Sequence, residues 1–269
     1  MNMSARSDPL DAIGQQHQRA NTAETRIVSL VPSITELLCD LGLAHMMVGR
    51  TGFCIHPAEL VQAIPKIGGT KDVNIDKIRR MAPTHLIVNI DENEKPTVDR
   101  LAEFIPNVIV THPLTPHDNV DLYHLLGHIF QVEEAAEKLI GEFKKASAAL
   151  SQTINAPQER VLYCIWQDPW MTVSRDTYIA NMLDLIAWKT WAPTNASQRY
   201  PVFEWNEQML EQIDRILLST EPYRFSESHV DALEKQTGKP VQLVDGEMLS
   251  WYGSRAIVGL GYLKTLQTI

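Results

Sequence analysis

No stretch of this 269-residue chain approaches the roughly 20 consecutive apolar residues that a membrane-spanning helix requires, so a membrane-embedded protein is not expected. Cysteine is scarce. Cys39, Cys54 and Cys164 form an odd set without paired spacing, which argues against a disulfide framework and points to free thiols in a reducing compartment. No lysine- or arginine-rich stripe runs along any segment and the net charge is -9, so nucleic acid is not an expected partner. A glycine-rich phosphate loop, a Gly-x-Ser-x-Gly elbow and a His-Glu-x-x-His pair are all missing, and an enzyme is not expected. Ser33, just ahead of a helical pattern, reads as a helix cap rather than a nucleophile. Residues 1–25 lack the apolar run of a signal peptide. As written the chain reads as cytoplasmic, and as periplasmic if a native leader has been removed.

What is present is an ordinary globular balance, 44% hydrophobic and 21% charged, in a chain long enough for two cores. Residues 1–25 are polar and read as a disordered or loosely attached arm. From Arg26, short β-rich runs (27–31, 46–49, 85–88, 108–110) alternate with helical spacings (34–41, 75–81, 98–104). That alternation predicts a parallel sheet covered on both faces. Residues 120–154 then read as one helix about 50 Å long at 1.5 Å per residue, with Leu122, Leu125, Leu126, Ile129, Ala136, Leu139, Ile140 and Phe143 on one face. A second alternating region follows, with strands at 160–166, 215–219 and 241–244 and helices at 178–186, 205–212, 230–235 and 254–266. The predicted fold is α/β: two Rossmann-like lobes with parallel sheets joined by one long backbone helix. Its segments are the arm 1–25, an N-terminal lobe 26–118, a connecting helix 119–156 and a C-terminal lobe 157–269.

Four local patterns carry a resemblance: residues 26–37 (RIVSLVPSITEL), 48–53 (VGRTGF), 67–69 with 74–78 (IGG, NIDKI) and 82–88 (APTHLIV). In that order, ahead of a long helix, the chain resembles the helical-backbone (class III) substrate-binding proteins that feed metal chelates to ABC importers. Its cobalamin-binding members are the most similar. The resemblance implies non-catalytic binding of a corrinoid in an interlobe cleft. A ferric siderophore or haem on the same fold, or a cytoplasmic carrier or sensor without an importer, are the alternatives. It places Pro32 and Phe53 on the first-lobe wall and Trp170, within Trp166-Gln167-Asp168-Pro169-Trp170, on the second. The Arg199-Tyr200-Pro201 segment and residues 245–255, with Asp245, Trp251, Tyr252 and Arg255, would complete the site. Asp76 and Glu207 match the two carboxylates that an ABC permease reads.

The residue types fit that chemistry. Tryptophan rings offer flat apolar area to a macrocycle, and Trp170 and Trp251 stand beside Pro and Gly in strand-end loops, where α/β folds bind ligands. Trp188, Trp191 and Trp205 read as core. Arg175, Arg199 and Arg255 suit the polar rim of a chelate. Asp245 either accepts hydrogen bonds from ligand amides or caps the helix expected from about residue 254. Ser33, Cys54, Trp166 and Tyr200 complete the candidate lining. No four-ligand metal site is expected from protein groups alone, although Cys54 or His56 could supply an axial ligand to a bound cobalt or iron. No covalently bound cofactor is expected, the ligand being a corrinoid or otherwise an iron chelate. A monomer is expected.

Overall fold

The computed structural model describes residues 9–152, 157–194 and 198–267. The chain divides into two compact units. Unit 1 takes the residues up to Pro113, then His117–Phe143 and Tyr252–Ser254, and unit 2 takes Leu114–Pro116, Lys144–Trp251 and the residues from Arg255 on.

Unit 1 runs β1 (Ile27–Ser29), α1 (Pro32–Asp40), β2 (Met47–Arg50), α2 (Ala58–Val61), α3 (Ile75–Arg80), β3 (His85–Asn89), α4 (Lys95–Ala102), β4 (Asn107–Thr111) and α5 (Asp118–Phe130), then enters α6 (Glu133–Ser151). The strands form an all-parallel sheet in the order β2-β1-β3-β4. All five residues of β3 are buried, as a sheet covered on both faces demands. Val28, Leu30, Ile67, Ile78, Leu86 and Leu101 form one core on it.

Unit 2 repeats the plan with β5 (Glu159–Trp166), β6 (Met171–Thr172), α7 (Tyr178–Asp184), β7 (Trp188–Thr190), α8 (Glu207–Leu210), β8 (Arg215–Ser219), α9 (Glu227–Thr237), β9 (Val241–Val244), α10 (Gly246–Ser250) and α11 (Arg255–Leu266). β5 lies between β8 and the short strands β6 and β7, β9 closes the other edge, and only β6 is antiparallel. Leu162, Cys164, Met209, Ile216 and Leu218 lie in its core. In both units, therefore, the chain enters through a central strand, and a short helix (α3, α8) precedes the strand beside it.

The alternating α/β reading stands, and two expectations about connections are corrected. Residues 9–25 are not a loose arm. The buried Asp11 carboxylate accepts hydrogen bonds from the backbone N–H groups of Ile13, Gln15 and Val110, and lies 3.1 Å from Nε2 of the buried His17. Ala12 N–H donates to Val110 O, so this segment covers the open edge of β4. Residues 1–8 lie outside the described residues. The single long helix is two helices, because Gln131 adopts a left-handed conformation (φ 57°) and ends α5. Gly127 permits the bend: a Cβ there would stand 2.6 Å from the Ala136 Cβ. α6 belongs to unit 1 as far as Phe143 and to unit 2 beyond it. Residues 153–156, the expected end of the connector, lie outside the described residues.

Candidate functional site

Parallel strands bring all their carboxyl ends to one edge of each sheet, where neighbouring connections diverge and side chains are left unpacked. In unit 1 that edge carries exposed apolar groups: Phe53 (62% exposed) and Ile55 in the loop after β2, and Ile90 directly after β3. Pro32 opens α1 and is half-buried. Ser33, one residue on, is buried.

In unit 2 the same edge is aromatic. Trp166 ends β5 with 39% of its surface exposed and meets Tyr223 edge-on, with ring centroids 5.5 Å apart. Behind them Trp170 stacks on Phe225 at 5.7 Å with an interplanar angle of 11°, and meets Trp205 edge-on at 5.2 Å. Phe203 stands on that cluster at 6.3 Å from Trp170. Val202, next in sequence, is 50% exposed. Rings packed edge to face hold one another still, so Trp166 and Tyr223 are presented on a stiff base. Arg175 is exposed on the loop beyond β6. Arg199 is half-buried, with Nη2 donating to Asp176 O at 2.9 Å, and Tyr200 beside it is half-buried.

Several of the expected lining residues are engaged in contacts within the protein. Trp251 and Tyr252 are buried and engaged inside the protein. Trp251 Nε1 donates to Glu221 Oε1 at 2.7 Å, and Tyr252 OH donates to Glu92 Oε1 at 2.6 Å. Arg255 pairs with Glu247 at 3.4 Å and lies 5.1 Å from the Trp251 ring centroid. Asp245 caps α10 rather than the helix expected from residue 254, its carboxylate accepting from Met248 N–H at 3.3 Å. Residues 245–255 hold a five-residue helix, α10, of which the sequence gives little sign. Gly246 is the available signal, since a Cβ there would lie 2.5 Å from Ser219 Oγ and from Glu221 Cγ. Of the three tryptophans assigned to the core, Trp188 is buried on β7, whereas Trp191 and Trp205 are half-buried against the unit 2 core.

Cys54 is buried as well, its sulfur lying between the Thr35 and Thr51 hydroxyls at 3.0 and 3.1 Å. Burial raises its pKa, and the threonine hydrogen bonds only partly oppose that. Cys39 is pushed up to about 12 by burial and then by Asp40 and Glu36, and burial alone raises Cys164. His56 remains a half-buried loop residue. No group of three or more His, Cys, Asp or Glu side chains among the described residues is arranged to hold a metal ion. Since the thiolate is the reactive form, iodoacetamide at pH 8 is expected to leave native protein unmodified and to alkylate three thiols in urea, as read by intact mass. Rapid native labelling at one site would contradict this burial.

Sequence reasoning missed Tyr223, Ile55, Ile90 and Val202, each an isolated apolar residue without periodicity. It also missed Glu221. Burial raises the pKa of that carboxyl first, neighbouring Glu247 and Asp245 add to the rise, and donors from Ser250 and Trp251 oppose it.

Two α/β units, each with an apolar face at its strand ends, set the frame for the comparisons with known proteins. The model of the family described as "Periplasmic binding protein" matches residues 27–239, and the chain belongs to that family. It is 25% identical over 186 residues to the uncharacterized ABC transporter substrate-binding lipoprotein YvrC of Bacillus subtilis, a match covering 66% of this chain and 58% of that protein. It is 21% identical over 163 residues to the vitamin B12-binding protein of Pectobacterium carotovorum, covering 60% of this chain and 59% of the relative. The chain thus matches a little under three fifths of the length of each. The same fold is found in the periplasmic vitamin B12 binding protein BtuF of Vibrio cholerae, with TM-score 0.75, 19% identity and 90% and 96% of the two chains covered. It is found too in the periplasmic heme-binding protein RhuT from Roseiflexus sp. RS-1, with TM-score 0.74, 20% identity and 90% and 97% covered.

Proposed function

We propose that this protein reversibly binds a corrinoid or a similar metal chelate and presents it to an ABC-type permease. The observation that carries the reading is the exposed Trp166 face, braced by Tyr223 and the ring cluster behind it. A broad, stiff aromatic surface at strand ends suits a flat apolar ligand and costs little side-chain entropy on binding. Phe53, Ile55 and Ile90 give unit 1 an apolar strand-end face of its own. Pro32, Trp170, Arg175, Arg199 and Tyr200 remain the candidates for the remaining contacts, the arginines for polar groups at the ligand rim.

Asp76 and Glu207 are the proposed permease-reading carboxylates. Both are exposed in the first turn of a short helix, α3 and α8, whose Asn cap (Asn74, Asn206) accepts from a backbone N–H at 2.9 and 2.8 Å. A periplasmic setting is compatible with the cysteines. Three thiols buried as deeply as these need no reducing compartment, so the sequence argument for one loses its force. The relatives named for vitamin B12 and heme support a large chelate as cargo.

A visible absorption titration with cobalamin, cobinamide, haemin and a ferric catecholate tests the reading. Saturable binding of a corrinoid is the expected result. Saturable binding of haemin or the catecholate alone would keep the class and change the ligand. If none binds better than roughly 100 μM, about 5.5 kcal/mol, the chelate reading fails.

A further inference from the structure

Residues 53–55 alternate in exposure. Phe53 is 62% exposed, Cys54 is fully buried and Ile55 is 50% exposed, so the two apolar side chains that unit 1 presents after β2 flank one inward-facing thiol.

That thiol ends a chain of buried polar groups. Thr35 Oγ1, on α1, lies 2.9 Å from Ser29 Oγ of β1, 3.0 Å from Val31 O and 3.0 Å from Cys54 Sγ. Thr51 Oγ1 meets the same sulfur at 3.1 Å. Ser29, Thr35, Thr51 and Cys54 all have 0% exposure. Thr51 also holds the backbone of the loop: Phe53 N–H donates to its Oγ1 and Cys54 N–H to its carbonyl, both at 3.3 Å. Gly52 N–H donates to Gly68 O at 2.7 Å, and a Cβ at Gly69 would stand 3.4 Å from Phe53 Cε2, so the exposed ring has its edge against Gly69.

Hydroxyls and a thiol are not needed to fill this space. Valine and alanine have similar shapes and leave no hydrogen bond to satisfy, and replacing both partners of a buried pair by apolar groups is close to neutral in stability. What the polar set adds is direction. Each bond fixes an angle as well as a distance, and together they tie the loop to β1 and α1. We infer that Cys54 is a positioning residue for the apolar face of unit 1: its thiol, held from α1 by Thr35 and from within the loop by Thr51, keeps Phe53 and Ile55 turned outward. A face fixed in this way before the ligand arrives loses little freedom on binding. The inference rests on the chelate-binding reading of that face given above.

Hydrogen exchange of residues 51–55, read against exchange in β3 of the same protein, tests the local claim without any ligand. In Cys54→Ala, exchange at 51–55 should rise about tenfold more than exchange in β3, the mark of local opening rather than global unfolding. Cys54→Ser keeps a polar group for both threonines and should recover most of that rise. Thr35→Val leaves the loop sequence intact, removes one hydroxyl from the sulfur and should show the same selective rise, and it carries the test if Cys54→Ala does not fold. A rise no larger than that of β3 in these variants overturns the inference. Cys54→Ser exchanging as fast as Cys54→Ala overturns it too, because loss of packing would then explain the effect. Cobalamin titration separates this claim from the cargo reading. Selective exchange together with cobalamin affinity at least threefold weaker than that of the parent is the expected pair of results. Cobalamin affinity unchanged in Cys54→Ala removes only this inference, whereas the exchange effect in a protein that binds no chelate removes only the cargo reading.

Discussion

Replacing Trp251 with alanine is expected to cost about 3–5 kcal/mol of stability, the range for deleting a buried tryptophan. The side chain is 8% exposed, and its Nε1 is one of two donors holding Glu221 Oε1, the other being Ser250 Oγ. Removing the ring therefore opens a cavity, takes a hydrogen bond from a half-buried carboxylate and strips Arg255 of the aromatic face beside it. Trp251→Phe keeps most of the volume and loses only the donor, and Ser250 still donates to Glu221, so it should cost about 1 kcal/mol, the net worth of one hydrogen bond. Trp166→Ala, at an exposed position, should stay within about 1 kcal/mol of the parent. Urea unfolding of the three variants checks the order. A Trp251→Ala protein as stable as Trp166→Ala would mean that the Glu221 contact is not what fixes residues 245–255.

Acidification from pH 7 to pH 4 is expected to remove about 3 kcal/mol through one histidine. His85 is 5% exposed, and burial, then the nearby His17, lowers its pKa from 6.5 to about 4. A base whose folded pKa is depressed stabilises the native state fully above its unfolded pKa. That contribution is lost as pH falls from 6.5 through 4, at about 1.4 kcal/mol per unit. The ring also packs edge-on against Phe130 at 5.3 Å and meets Thr84 Oγ1 through Nδ1 at 2.8 Å, so a charge there has little water to reach. Carboxylates elsewhere titrate over the same range, and the decisive quantity is the difference between the parent and His85→Gln. The variant should be less stable at pH 7 and should lose less between pH 7 and pH 4. Parallel pH curves for the two proteins would contradict the assignment.

The strand run 215–219 coincides with β8, because a central strand of a parallel sheet buried on both faces leaves a short continuous apolar run that little else imitates. The helix break at Gln131 was not legible. The apolar positions 122, 125, 126, 129, 136, 139, 140 and 143 keep helical phase across it, so periodicity is blind to a bend set by Gly127 meeting Ala136. The role of residues 9–25 was hidden for another reason. One aspartate, Asp11, organises them, and its partners include Val110, 99 residues away.

The exposed apolar faces were half legible. Trp166 and Phe53 stand where strand-end loops predict, while Trp251, Tyr252 and Cys54 look identical in sequence and turn inward. Composition cannot separate a tryptophan that packs on solvent from one that bonds Glu221. Only the fold decides which way each ring faces.

The most direct test of the chelate-binding account is the affinity of Trp166→Ala for whichever chelate the parent protein binds, measured by the same absorption titration and set beside its unfolding curve. The account predicts affinity weakened about tenfold or more, about 1.4 kcal/mol, with stability nearly unchanged. Parent-like affinity in a folded Trp166→Ala protein would contradict it, because the exposed aromatic face of unit 2 would then play no part in holding the ligand.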